Sequence, residues 1–295
     1  MVSMEVVVRN GECGDWRLAD AEFLKSFTLP ERTPDKLARL HPLPGEDRLR
    51  FDAATHKYFL DGRQIPISVT GLLHKYAASF DAAAALVAMK NGARWAEKEA
   101  DLLAQGLGTE DQDFLDRWER NGQAASARGT LMHFQCECMV NDITVEAPHS
   151  PEFQQAQTIY QQLLNMGMTP YRTELSMYNH KVDAAGQADL IMRDPEKGCL
   201  VIVDWKRVRQ LKYDNRYEHL KYPFQHLPDC NGSLYGMQLS VYAHFLETDY
   251  NMRVADDMYL ALCHPDNPGP QLIRVRRLRL EIQALVDHES APSAP

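Results

Sequence analysis

The sequence reads as an α/β chain on three observations. Alanine-rich, helix-forming stretches fill much of its first half. Three apolar runs separated by turn residues follow one another between residues 171 and 207. A helical segment then divides them from two further strand candidates. Helical and extended periodicities mixed in one chain mark a layered α/β domain.

In chain order, residues 1–50 carry Pro30, Pro34, Pro42 and Pro44 among many charges and read as an irregular lead-in. The main domain is expected over 51–288, with a hairpin and helices in 51–125 and the core in 126–288. Residues 51–70 hold Tyr58-Phe59-Leu60, then Asp61-Gly62, then Ile65 and Ile67, the pattern of a hairpin around a tight turn. Helices are predicted over 81–105, 111–120, 124–140 and 151–166, the last stopped by Gly167. Strands are predicted over 171–178, 186–193 and 199–207. A polar, aromatic-studded stretch over 208–233 leads to a helix at 234–248, strands at 257–263 and 271–278, and a last helix at 281–288. The tail 289–295, ending SAPSAP, has the composition of a disordered segment.

Composition narrows the function classes. The 295 residues are 44% hydrophobic and 25% charged, the mix of a globular protein with enough apolar material for a real core. No run approaches the roughly 18 apolar residues of a membrane span. The start, MVSMEVVVRNGECGDW, lacks a basic leader and a long apolar segment, so an intracellular protein is expected. The six cysteines are scattered without a CxxC pair, which fits reduced, buried thiols. A formal charge of −9 argues against coating nucleic acid by bulk charge.

The strand cluster carries the chemistry. Asp194-Pro195-Glu196-Lys197-Gly198 is turn chemistry, and a four-residue loop there pairs Asp194 with Cys199 and, stepping outward, Asp189 with Asp204. A second step, with 179–184 as the loop, pairs Tyr178 with Ala185 and Glu174 with Asp189. Three carboxylates, Glu174, Asp189 and Asp204, are thus expected in a row, with Lys206 on the same face. Like charges directly opposed destabilise a sheet, so the row calls for a cation. Carboxylate oxygens suit Mg²⁺ or Mn²⁺, and a neighbouring lysine can stabilise developing negative charge or help deprotonate water. That combination suits metal-assisted phosphodiester hydrolysis.

At this point the residues match a family. Arg128-Gly129-x-x-x-His133, Glu174, Gly186-x-x-Asp189, Asp204-Trp205-Lys206 and Gln238-x-x-x-Tyr242, in that order, resemble the PD-(D/E)XK nuclease superfamily, and within it the RecB-like exonucleases. Ile67-Ser68-Val69-Thr70 is similar to an N-terminal motif of phage and viral members. The resemblance implies a restriction-endonuclease-like core, a central mixed sheet flanked by helices. It implies Asp189 and Asp204 as principal metal ligands, with His133 and the carbonyl of Trp205 completing the set and Glu174 binding metal-bound water or a second ion. Lys206 would sit near the scissile phosphate, with Gln238 and Tyr242 orienting it, and Arg128, Ser68 and Thr70 near nucleic acid. From the residues alone, His133 in an apolar helical stretch is ordinarily a hydrogen-bonded core residue; ligation rests on the resemblance. The late cysteines Cys230 and Cys263 are too few for the iron–sulfur cluster of some RecB-like nucleases, and no GxxxxGK[ST] nucleotide motif occurs.

Residues 206–221 hold six basic and two acidic side chains, while 97–146 hold four basic and eleven acidic. The charge of −9 is therefore unevenly spread and compatible with a local grip on a phosphate chain. Arg207, Arg209 and Lys212, interleaved with Tyr213 and Tyr217, suit a single strand held by backbone contact and base stacking. A solvated insertion with locally packed aromatics has the same composition. The expected function is a Mg²⁺- or Mn²⁺-dependent DNA exonuclease on single strands or ends, serving DNA repair, recombination or replication, with a helicase or recombination protein as the expected partner. An endonuclease of the same fold, or a non-catalytic nucleic-acid-binding module, are the alternatives.

Overall fold

The computed structural model describes residues 36–53, 55–144 and 150–291. In order these form α1 (Lys36–Leu40), β1 (Leu49–Asp52), β2 (Lys57–Leu60), β3 (Arg63–Gln64), β4 (Ile67–Ser68), α2 (Val69–His74), α3 (Ala82–Lys90), α4 (Trp95–Ala104) and α5 (Asp111–Val140). Then follow α6 (Pro151–Asn165), β5 (Thr169–Asn179), β6 (Ala184–Asp194), β7 (Cys199–Lys206), α7 (Asn231–Thr248), β8 (Asp257–Leu262), β9 (Gln271–Arg276) and α8 (Arg279–Ser290). The described residues divide into two compact units, one within 79–131 and one within 36–78 and 132–291. Most of the expected lead-in, 1–35, and the last four residues of the expected disordered tail lie outside the described residues.

In the first unit, Leu86, Leu102 and Phe114 form a small core with Trp95 and Trp118. The single helix predicted over 81–105 is two, because the chain turns at Asn91-Gly92, where Gly92 N–H bonds back to the Met89 carbonyl. The helices predicted over 111–120 and 124–140 are conversely one, α5. It runs straight through Asn121-Gly122, where a glycine costs only about 1 kcal/mol against a long hydrogen-bond ladder.

The second unit is built on β6. Its register with β7 pairs Asp194 with Cys199 and continues to Leu190 opposite Val203, as the turn chemistry predicts. Its register with β5 pairs Tyr178 with Ala185. Beyond β7 the sheet continues through parallel β8 and antiparallel β9. The predicted hairpin forms around Asp61-Gly62, both at positive φ, and gains a strand the sequence reading did not supply, β1. Short β4 leaves that hairpin and pairs in parallel with the start of β6, Ile67 with Ala184 and Ser68 with Ala185. One edge of β6 is therefore taken by β5. The other is taken by β4 at its start and by β7 from Leu190 onward, and the stretch between, Gly186 to Asp189, is left unpaired on that edge.

The two faces of the sheet carry separate cores. Leu200, Ile202, Leu260 and Leu262 pack with α2, α7 and α8. Val201, Val203, Trp205 and Ala261 pack with α6 and with Met132, Cys136 and Val140 of α5. Strict alternation along β7 thus decides that Asp204 and Lys206 share the α7 face. Cys136, Cys138, Cys199, Cys230 and Cys263 are free and buried; Cys13 lies outside the described residues.

Candidate active site

The site lies where β6 and β7 part. Their ladder stops at Leu190 and Val203, one pair short of the two aspartates. The Trp205 N–H, freed by the divergence, donates instead to Asp189 Oδ2 at 2.8 Å. Across from Asp189, Glu174 interrupts β5 with φ 45°, a left-handed backbone that a glutamate adopts only under strain. The Gln187 amide takes the Glu174 carbonyl at 2.8 Å and holds the kink. Beyond it, Ala188 packs in the α7-side core and Leu190, two residues on, in the α6-side core. Regular alternation does not allow that switch, which falls at Asp189, opposite the kink.

Of the three acids predicted in a row, two gather around His133. His133, Glu174 and Asp189 bring one donor atom each within 4.8 Å of one another. The His133 ring nitrogen Nδ1 lies 3.5 Å from Asp189 Oδ2. Asp204 stands outside this group on the α7 face, its Oδ2 2.6 Å from the Lys206 ammonium. The predicted pairs Asp194–Cys199 and Tyr178–Ala185 form, while the kink at Glu174 and the divergence at Asp189 were invisible to the register arithmetic.

Lys206 is enclosed on several sides. Besides Asp204, it donates to Gln238 Oε1 at 3.0 Å, and its ammonium lies 4.7 Å from the centre of the Tyr235 ring. The amide end of Gln238 donates to Tyr242 OH at 3.0 Å and to Thr70 Oγ1 at 3.3 Å. Two acceptors on the NH₂ end fix the amide so that its oxygen faces the lysine. Tyr235, Gln238 and Tyr242 follow one another at three and four residues along α7, so they share its inner face. Tyr235 was missed by the sequence reading, although its spacing from Gln238 was the available signal. Gly186 makes the arrangement possible: a Cβ there would lie 2.6 Å from the Tyr242 ring and 2.9 Å from Val69.

The electrostatics follow from burial and proximity. Burial alone would lower the His133 pKa, but Asp189 and Glu174 reverse this and raise it to about 9. Burial pushes Asp204 up, Lys206 opposes it and Asp189 adds to it, leaving it at about 6. Burial acts against the charge of Asp189 too, yet His133 and Lys206 hold its pKa below the ordinary carboxylate value. Lys206 loses solvation, but Asp204 and Asp189 hold its pKa above the usual lysine value, so it is an ammonium at neutral pH. Of the two roles considered for it, this favours stabilising negative charge over accepting a proton.

The remaining candidates divide. Ser68 is used as the cap of α2, accepting from Gly71 N–H at 3.0 Å. Arg207 turns inward to a buried ion pair with Glu152 at 2.7 Å, which takes it out of the exposed basic set. Arg209, Lys212, Tyr213 and Tyr217 are exposed, Tyr217 at 94%. Arg128 precedes His133 on α5 but belongs to the first unit. The Trp205 side chain is buried beneath the site in the α6-side core.

Among known families, the model of the PD-(D/E)XK nuclease superfamily matches residues 71–291, and the chain belongs to that superfamily. Its members are metal-dependent nucleases, with a mixed sheet flanked by helices as described above. No protein of curated function matches the chain. The chain is also similar to several solved structures. One, described as a candidate exonuclease of Eubacterium rectale, is 16% identical with a TM-score of 0.30, over 58% of this chain and 62% of that one. The chain thus spans less than two thirds of that protein's length. Another, the protein SSO0001, is 14% identical with a TM-score of 0.30, over 95% of this chain and 85% of that one. No helix among the described residues is long and apolar enough to cross a membrane.

Proposed function

We propose that the chain is a divalent-metal-dependent DNA exonuclease of RecB-like type that acts on single strands or ends. The observation that carries this is the His133, Glu174 and Asp189 donor group, within 4.8 Å, set beside the enclosed Asp204–Lys206 pair. One imidazole and two carboxylates form a donor set suited to a hard or borderline cation. His133, Glu174 and Asp189 would hold it, with Asp204 and the Trp205 carbonyl adjoining. The imidazole tilts the choice toward Mn²⁺ over Mg²⁺. The bound cation would acidify a water and neutralise phosphate charge.

The chain's own residues do the rest. Lys206, kept charged by Asp204 and aimed by Gln238, presents its ammonium to the scissile phosphate and stabilises the negative charge that builds on it. Gln238, fixed by Tyr242 and Thr70, keeps that ammonium from rotating away. Arg209, Lys212, Tyr213 and Tyr217 offer a strand exposed charge and stacking surface. A helicase or recombination protein would supply the unwound strand, in repair, recombination or replication.

The test is a set of end-labelled linear single strands, linear duplexes, RNA and a circular single strand, each with Mn²⁺ or Mg²⁺. The proposal expects mononucleotide release from linear single-stranded DNA and an intact circle. Cutting of the circle would replace the exonuclease reading with the endonuclease one. Absence of cleavage on every substrate would favour a non-catalytic binding module.

A further inference from the structure

A cavity of about 390 Å³ opens directly beside Lys206 and Gln238, and nothing so far says what would fill it. Leu73, Leu234 and Tyr235 give it an apolar wall, and Thr70, His74, Asp229, Asn231 and Gln238 a polar rim beside Lys206. Its size lies near the lower end of ligand pockets, roughly 300–1,000 Å³, and it pairs an apolar wall with polar groups that can orient a ligand. Tyr235 is shared: its ring carries the Lys206 ammonium and also lines the cavity. Whatever fills the cavity is therefore next to the group that faces the scissile phosphate.

The cavity is also braced. Asn231 accepts from Lys212 N–H at 2.8 Å and donates to the Gln210 carbonyl at 3.0 Å, and Gly232 N–H donates to the Lys212 carbonyl at 3.1 Å. A Cβ on Gly232 would lie 2.3 Å from that carbonyl, so only glycine permits the clamp. The segment after β7 is thereby fastened to the start of α7 at the cavity rim. A second cavity of about 460 Å³ shares Asp229, Cys230 and Asn231 with the first and extends to Lys212, Arg216 and Tyr217.

The geometry points to a subsite for one unpaired nucleobase, the base of a nucleotide adjoining the scissile phosphate, packed against Tyr235. This rests on the nuclease reading and adds to it a physical reason for single-strand preference. A base still paired to its complement cannot enter a pocket of one-nucleotide size, so a duplex must first open its end. The neighbouring cavity continues the path toward the exposed ring of Tyr217, where the next base meets a stacking surface.

The test places 2-aminopurine at successive positions of a single-stranded oligonucleotide bound to the full chain in Ca²⁺. One position is expected to be strongly quenched, unchanged in Tyr235→Phe and restored in Tyr235→Leu. In parallel, single abasic residues walked along a linear strand with Mn²⁺ should slow cleavage about tenfold at one fixed offset, the scale of one lost base–aromatic contact. His74→Trp, which fills the cavity mouth, should abolish that offset dependence. Equal fluorescence at all positions, quenching that survives Tyr235→Leu, or failure of any single strand to bind would overturn the subsite. A position-specific quench without hydrolysis of any substrate would instead overturn the nuclease reading and leave the subsite standing.

Discussion

Asp204 concentrates the conflict between stability and chemistry. Its side chain is 2% exposed, and its pKa rises from 3.8 to about 6, because burial outweighs the nearby ammonium. The sign follows directly. Below pH 3.8 the acid is neutral folded or unfolded and costs nothing; between 3.8 and 6 only the unfolded chain ionises; above 6 the folded protein bears the full penalty. Asp204→Asn in EDTA should therefore raise the unfolding temperature above pH 6 and lose that advantage near pH 4, while hydrolysis disappears. A variant less stable than wild type at pH 7 would show that the buried charge is not a burden. Glu174 makes the same point through the backbone: at φ 45° it stores strain of about 1–3 kcal/mol. Glu174→Gly should unfold no earlier than wild type in EDTA, while the thermal stabilisation that Mn²⁺ is expected to give wild type should be reduced or lost.

At the scale of elements, the site is an accident avoided at one edge of β6. Gly186 lies in the unpaired stretch between β4 and β7, with the Tyr242 ring and Val69 against its Cα. Gly186→Ala should push α2 and α7 away, costing about 1–3 kcal/mol by overpacking and loosening the Lys206–Gln238 contact. Urea denaturation and a fall in kcat larger than any rise in KM would report the two effects. Much of this framework was legible in the sequence. The 195–198 turn and the apolar runs beside it set the β6–β7 register, and the spacing of Gln238 and Tyr242 put both on one face of α7. What was not legible has identifiable causes. Val69 and Thr70 are β-branched and read as strand, but the Ser68 cap starts α2 there. Asn121-Gly122 looks like a break, but the ladder of α5 overrides it. The kink at Glu174 has no local composition signal, since nothing but tertiary contact holds a glutamate at positive φ.

For the whole molecule, the charge of −9 proved a poor guide and its placement a better one. Acids converge on one end of the central sheet with His133 and Lys206 among them, where a cation would invert their effect on a phosphate. The basic segment after β7 retains Arg209, Lys212 and Arg216 at the surface even though Arg207 is spent on Glu152. The central claim is that this convergence is a metal-dependent nuclease site in which the Lys206 ammonium stabilises the reacting phosphate. The direct measurement is single-turnover hydrolysis of an end-labelled linear single strand across a Mn²⁺ titration, with wild type and Lys206→Ala side by side. The account predicts cleavage in wild type that vanishes with EDTA and falls about 10²–10³-fold in Lys206→Ala, with the fold of the variant intact by circular dichroism. Cleavage that persists without a divalent ion, or that proceeds at the wild-type rate in Lys206→Ala, would contradict it.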